Sequence, residues 1–438
     1  MKMNSIQTFD KCICGKTHLS QIKSKIIGKN ALEQLPVELE KLGAKKVFLL
    51  SDINTYSLAG EKIITLLSDN GILYSSYVFC HRSPEPDEEA VGAAVMHYDK
   101  SCEVIVGLGS GVINDIGKIL SNITDTPYVI VATAPSMDGY ASSTSSMVMD
   151  GVKVSLSSKC PEIIIGDVDL LKTAPDKMLK SGLGDMLAKY ISICEWRISH
   201  EITGEYYCET IAQLVRNALH ECIVHVDGLL RREDEAVKAV FEGLVICGEA
   251  MGFAGVSRPA SGVEHYLSHI WDMRALEFGT NADLHGIQCA IGTLVAAKVY
   301  EQVKKVTPDV EKAMAYVEKF DRGKWNNELR AFLGKGAEAM ILLEKREQKY
   351  NVDRHRERIK VIVEKWDRIL SIIEEEVPES SEIEELLDRI NAPKGLEDIG
   401  LESSILPMTF KASKDIRDKY VLSRLVWDLG IIDELKYD

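Results

Sequence analysis

Val104-Ile105-Val106-Gly107-Leu108-Gly109-Ser110-Gly111-Val112-Ile113-Asn114-Asp115-Ile116-Gly117-Lys118 reads as a buried strand, a glycine loop and the start of a helix. Glycines there let the backbone approach a pyrophosphate, and the helix that follows aims its first N–H groups at it. A lone G-x-G often does no more than join strand to helix, but this placement favours dinucleotide binding. Working outward, KIIGKNALEQLPVELEKLG reads as helix and Gly turn, ahead of a strand at Val47–Leu50 that ends in Ser51-Asp52. Asp52 is suited to accept from the adenosine ribose or simply to cap the next helix. A helix over Leu58–Asn70, a strand over Leu73–Phe79, the loop HRSPEPDEEA and a strand over Tyr128–Ala132 follow, with a hairpin turn at Asp150-Gly151. Apolar strands alternating with helices indicate a doubly wound, Rossmann-like parallel sheet. The loop after Ala132 carries Thr133, Ser136, Asp138, Ser142 and Ser143 at the carboxyl end of a strand, where such sheets bind ligands.

From about Leu170 strand signals give way to helical periodicity. The expected organisation is an α/β domain over 1–169 and an all-α domain over 170–438, with a charged helical insertion at about 304–400. Within it, Ile359, Ile362, Trp366, Ile369 and Ile373 form one helical stripe, which packs as core or against a partner, core being the expectation.

The stretch RPASGVEHYLSHIWDMRALEFGTNADLHG, from Arg258, carries His265, His269 and His285, three of the chain's ten histidines. His265 and His269 share a helix face, and His285 opens another apolar run. Asp185, in SGLGDMLAKYIS, stands at the start of a helical pattern. A carboxylate and two imidazoles on separate helices make a metal site with open positions.

With a net charge of −15 and no basic block, nucleic acid and anionic membranes are unsuitable partners. The N-terminal residues lack a signal-peptide core, no apolar run spans a membrane, and ten scattered cysteines suit reduced thiols, so a cytoplasmic location is expected. Cys12, Cys14 and His18 form C-x-C-G-x-x-H, but the spacing is not that of a zinc ribbon and no second cysteine pair follows. Structural zinc is therefore not expected there.

Five blocks, GLGSGVINDIGK, TAPSMDGYASSTSSM with DGVKV, SGLGDMLAKY, SRPASGVEHYLSH and LHGIQCAIGT, together resemble the metal-dependent group of the iron-containing alcohol dehydrogenase superfamily. Within this dehydroquinate-synthase-like fold the likeness leans to glycerol-1-phosphate dehydrogenases, over roughly residues 20–300. The resemblance implies metal ligation by Asp185, His265 and His285. It assigns Gly109, Ser110, Gly111 and Asp115 to the pyrophosphate, Asp52 to the ribose, and Thr133, Ser136, Asp138 and Ser142 to nicotinamide and substrate. It further implies NAD(H) or NADP(H), one Zn, Fe or Ni ion, dihydroxyacetone phosphate and sn-glycerol 1-phosphate as substrates, and a homo-oligomer. Asp52 leans the cofactor towards NADH, because a carboxylate repels a 2′-phosphate. His269 falls beside the site, suited to relay a proton or merely to pack. Lys153, Arg258, Ser143 and backbone groups near Ser261 are the candidates to meet a phosphate. Ile287 and Gln288 stand where relatives often carry a charged residue. A polyol dehydrogenase, a dehydroquinate-synthase-like lyase and an interaction protein are the competing readings.

Overall fold

The computed structural model describes residues 12–80 and 84–437, so His81, Arg82 and Ser83 of the HRSPEPDEEA loop lie outside the described residues. The chain forms two compact units, one running up to Met186 with Gln213–Ser257 and the other comprising Leu187–Ala212 with residues from Arg258 onward.

In the first unit, strands β1 (Ser24–Gly28), β2 (Lys46–Asp52), β3 (Leu73–Phe79), β4 (Val104–Gly109) and β5 (Tyr128–Ala132) precede an antiparallel hairpin, β6 (Thr144–Met149) with β7 (Val152–Ser157), and then β8 (Ile163–Asp167). All but the hairpin form a parallel sheet in the order β1-β8-β5-β4-β2-β3. Every residue of β4, β5 and β8 is buried, as continuous apolar strands covered on both faces must be. Val47 and Leu49, Val104 and Val106, Val129 and Val131, and Ile163 and Ile165 alternate along their strands into one core face, packed with Leu35, Leu39, Ile63 and Leu67. Asp150 (φ 51°) and Gly151 (φ 73°) turn the hairpin through the left-handed region that short two-residue turns require. KII, expected to be helical, is instead strand β1, paired to β8 from Ser24↔Ile163 to Gly28↔Asp167. Three apolar residues carry no period, so sheet pairing decided.

Helices α1 (Leu35–Lys41), α2 (Ile53–Asp69), α3 (Glu88–His97), α4 (Gly111–Thr124), α5 (Val168–Leu171), α6 (Asp176–Leu187), α7 (Lys189–Thr203), α8 (Glu209–Val224), α9 (Asp234–Ala254), α10 (Val263–Phe278) and α11 (His285–Val303) follow in chain order. Asp185 therefore lies in the last turn of α6 rather than at the start of a helix. The charged region is folded helix: Ile359, Ile362, Trp366, Ile369 and Ile373 are all buried, on two helices, Val352–Glu364 and Trp366–Glu376, that meet at Lys365. Among the described residues no helix is long and apolar enough to cross a membrane.

Ile362 is wholly buried. Ile362→Ala should cost about 2–5 kcal/mol in denaturant unfolding; a cost under ~1 kcal/mol would mean that the stripe is not core.

Candidate functional site

Register aligns the carboxyl ends of three neighbouring strands. Ser51 pairs with Leu108 and Gly109 with Ala132, which sets Asp52, Gly109 and Thr133 at one edge of the sheet. The chain leaves β2 towards β3 on one side and leaves β4 towards β5 on the other, and this divergence is the switch point where open α/β sheets bind ligands. Asp52 also caps α2: its Oδ1 accepts from the N–H groups of Asn54 (2.8 Å) and Thr55 (3.0 Å). Ser110 alone separates the end of β4 at Gly109 from the N-terminus of α4 at Gly111. Asp115, one turn on, lies 3.0 Å from the Lys118 ammonium, and burial pushes its carboxyl above the ordinary range although Lys118 opposes this.

The loop after β5 is held from several sides. Lys118, fully buried, donates to the carbonyls of Gly139 (3.1 Å) and Thr144 (2.5 Å), and the Asn114 amide donates to Gly139 (3.1 Å). Ser181 donates to the Ser136 carbonyl (2.9 Å), and the Asp138 N–H donates to Asp185 Oδ2 (2.9 Å). Close approach explains the glycine of SGLGD: a Cβ on Gly182 would meet the Pro135 carbonyl oxygen at 1.8 Å. Thr133, Ser136, Asp138 and Ser142 are all buried, and the Ser142 hydroxyl pairs with Thr144 (2.9 Å). Ser143, beside it, is half-buried, as is Lys153 on β7.

In the helical unit, α10 and α11 bring the histidines together. The His265 and His285 ring centroids lie 4.9 Å apart, and those of His269 and His285 lie 5.8 Å apart. Donor atoms of His265, His285 and Cys289 lie within 4.8 Å of one another, with Cys289 Sγ 3.5 Å from His285 Nε2. The hydrogen bonds fix which ring nitrogens are offered to a metal. His265 Nδ1 is 2.8 Å from Glu264 Oε1, and a carboxylate only accepts, so Nδ1 carries a proton and Nε2 is the nitrogen left to a metal. For His285 the same conclusion follows through a relay. The Gln288 amide nitrogen donates to Asp272 (3.0 Å), so its oxygen accepts the Ser268 proton (2.7 Å). Ser268, its one proton used, accepts from His285 Nδ1 (3.0 Å). Two imidazoles with Nδ1 engaged from behind leave their Nε2 atoms to a metal, a donor set that a divalent ion fits.

Arg258 is committed elsewhere. It is buried, and its guanidinium donates to Glu205 (2.8 and 2.6 Å), Ser199 (3.0 Å) and the Tyr420 carbonyl (2.8 Å), so a substrate phosphate would have to displace a bidentate carboxylate. The Ser261 carbonyl accepts from Lys419 (3.0 Å), whose ammonium is pushed down to about 7 by burial and by Arg258. Glu264, Ser268, Cys289 and Lys419 are not among the residues expected from the sequence. Glu264 adjoins a ligand-type histidine and Cys289 is four residues from another, so both were legible; nothing local signals Lys419.

The family pattern described as iron-containing alcohol dehydrogenase matches residues 26–175. The chain is 27% identical to a glycerol-1-phosphate dehydrogenase of Halalkalibacterium halodurans over 94% of each chain. It is 32% identical to one of Bacillus velezensis, over 65% of this chain and 73% of the relative. For one of Methanosarcina mazei the values are 31%, 62% and 74%. A glycerol dehydrogenase structure from Schizosaccharomyces pombe shares the fold at TM-score 0.60 and 18% identity, over 94% of this chain and 89% of that one.

Gln288→Leu keeps the side chain's bulk but breaks the relay to His285. Metal affinity, measured by competition with a chromophoric chelator, should fall roughly 10–100-fold; an unchanged affinity would show that Gln288 does not orient His285.

Proposed function

The chain belongs to the iron-containing alcohol dehydrogenase family, in the company of the glycerol-1-phosphate dehydrogenases, and we propose that it interconverts dihydroxyacetone phosphate and sn-glycerol 1-phosphate with NAD(H) or NADP(H) and one divalent metal ion. The observation that carries this is the pair of imidazoles, His265 and His285, each with Nδ1 engaged so that Nε2 faces a metal. With Asp185 as third ligand, the donor set accepts Zn, Fe or Ni.

When bound, the metal supplies Lewis acidity at the substrate oxygen and the nicotinamide supplies or accepts hydride. The chain's residues do the rest. Glu264 and the Asp272–Gln288–Ser268 relay hold the two imidazoles in the ligating tautomer. Gly109, Ser110 and Gly111 let the α4 N-terminus approach the pyrophosphate, with Asp115 behind them, and this backbone field offsets the chain's net charge of −15. Asp52 accepts from the ribose through Oδ2, since Oδ1 caps α2. Thr133, Ser136, Asp138 and Ser142 line nicotinamide and substrate. His269, partly exposed and stacked on His285, passes the proton between substrate oxygen and solvent. Lys153, Ser143 and the backbone near Ser261 meet the phosphate. A homo-oligomer in the cytoplasm completes the proposal.

One observation favours a second reading, a glycerol or other polyol dehydrogenase: Arg258, the strongest phosphate-binding candidate by chemistry, is bound by Glu205.

Metal-reconstituted protein should oxidise NADH with dihydroxyacetone phosphate, much faster than with dihydroxyacetone, and a chelator should abolish the rate. Turnover of the free ketone instead makes it a polyol dehydrogenase, and no rate with either sinks the dehydrogenase reading. Asp52→Ala should raise kcat/KM for NADPH relative to NADH, while losing about 1 kcal/mol of capping stability. An unmoved ratio would remove Asp52 from the ribose.

A further inference from the structure

Cys12, Cys14 and His18 precede β1 and have no part in the chemistry above. Their C-x-C-G-x-x-H spacing lacks a zinc ribbon's second cysteine pair, yet folding achieves what spacing alone does not. The N–H of Gly15 (φ 79°) donates to the Cys12 carbonyl (2.9 Å), closing a turn that reverses the chain between the thiols and the histidine. The two sulfurs and a ring nitrogen of His18 consequently lie within 4.8 Å of one another. His18 Nε2 is 3.3 Å from Cys14 Sγ, while Nδ1 is 3.1 Å from the Phe253 carbonyl oxygen near the end of α9. A carbonyl only accepts, so Nδ1 carries the proton and the Nε2 lone pair points into the cluster. The ring is 1% exposed, fixed against Phe253 with centroids 6.0 Å apart.

We propose that Cys12, Cys14 and His18 bind a zinc ion through two thiolates and one imidazole Nε2, a ligand set distinct from that of the catalytic metal. Two soft sulfur donors with one imidazole select zinc over the harder divalent ions, and a further donor completes the tetrahedron. Binding releases the two thiol protons, so affinity falls as pH is lowered. The ion ties the segment that begins at Cys12 to the end of α9, as a staple within the first unit.

The test uses the full chain, stripped of metal and titrated with cobalt(II) as a spectroscopic stand-in for zinc. The expected result is a near-ultraviolet thiolate-to-cobalt charge-transfer band that zinc abolishes. In the paired variant Cys12→Ser with Cys14→Ser the band should vanish, and elemental analysis should find zinc reduced by about one equivalent per chain. His18→Cys should retain the ion and strengthen the band through a third thiolate, which keeps the test decisive if the paired variant fails to fold. A wild-type cobalt spectrum without a thiolate band would overturn the proposal, as would a band that persists in the paired variant, which would belong to Cys289. A band unchanged by His18→Cys would overturn the role of His18.

Discussion

Helices α10 and α11 run so close together that a Cβ on Gly292 would lie 2.8 Å from the Glu264 carbonyl oxygen and 3.0 Å from its Cα. The rest of the histidine centre depends on that approach. It lets Ser268 of α10 receive a proton from His285 of α11 and pass its own to Gln288, which in turn donates back across to Asp272 on α10. Each bond crosses between the helices, so shifting one helix against the other would break the relay and misdirect His285 together. Buried polar networks have this all-or-none character because every group left unsatisfied costs its full desolvation.

In the α/β unit the corresponding constraint is strand register. Six parallel strands place their carboxyl ends at one edge, and the chain diverges around β2 and β4, where Asp52 and the glycine loop stand on neighbouring strands. Lys118 is the strut here. With no exposure, it gives its protons to backbone carbonyls of Gly139 and Thr144 and to Asp115, so a buried charge is fully satisfied while it fixes the loop after β5.

Long apolar strands and strongly periodic helices were legible in the chain. Leu73–Phe79 and Tyr128–Ala132 form strands over the residues expected, and the stripe from Ile359 to Ile373 is buried as its period required. The segment KII was not, because it has too few residues to show a period. Among site residues, the histidines and glycines were found because their chemistry is rare in such patterns. Arg258 illustrates the opposite case. Its place beside a histidine motif suggested an anion partner, but the partner is Glu205, more than fifty residues away in sequence.

The sequence by itself determined the alternation of strands and helices, the glycine turn, the histidine pair and the absence of basic patches, since each is a local property of residue type and spacing. Only the tertiary structure decided which nitrogen of each histidine is offered to a metal, that Arg258 is spent within its own unit, and that Cys12, Cys14 and His18 converge. Those outcomes depend on hydrogen-bond partners brought close by packing, and a partner's distance in space is not written in its distance along the chain.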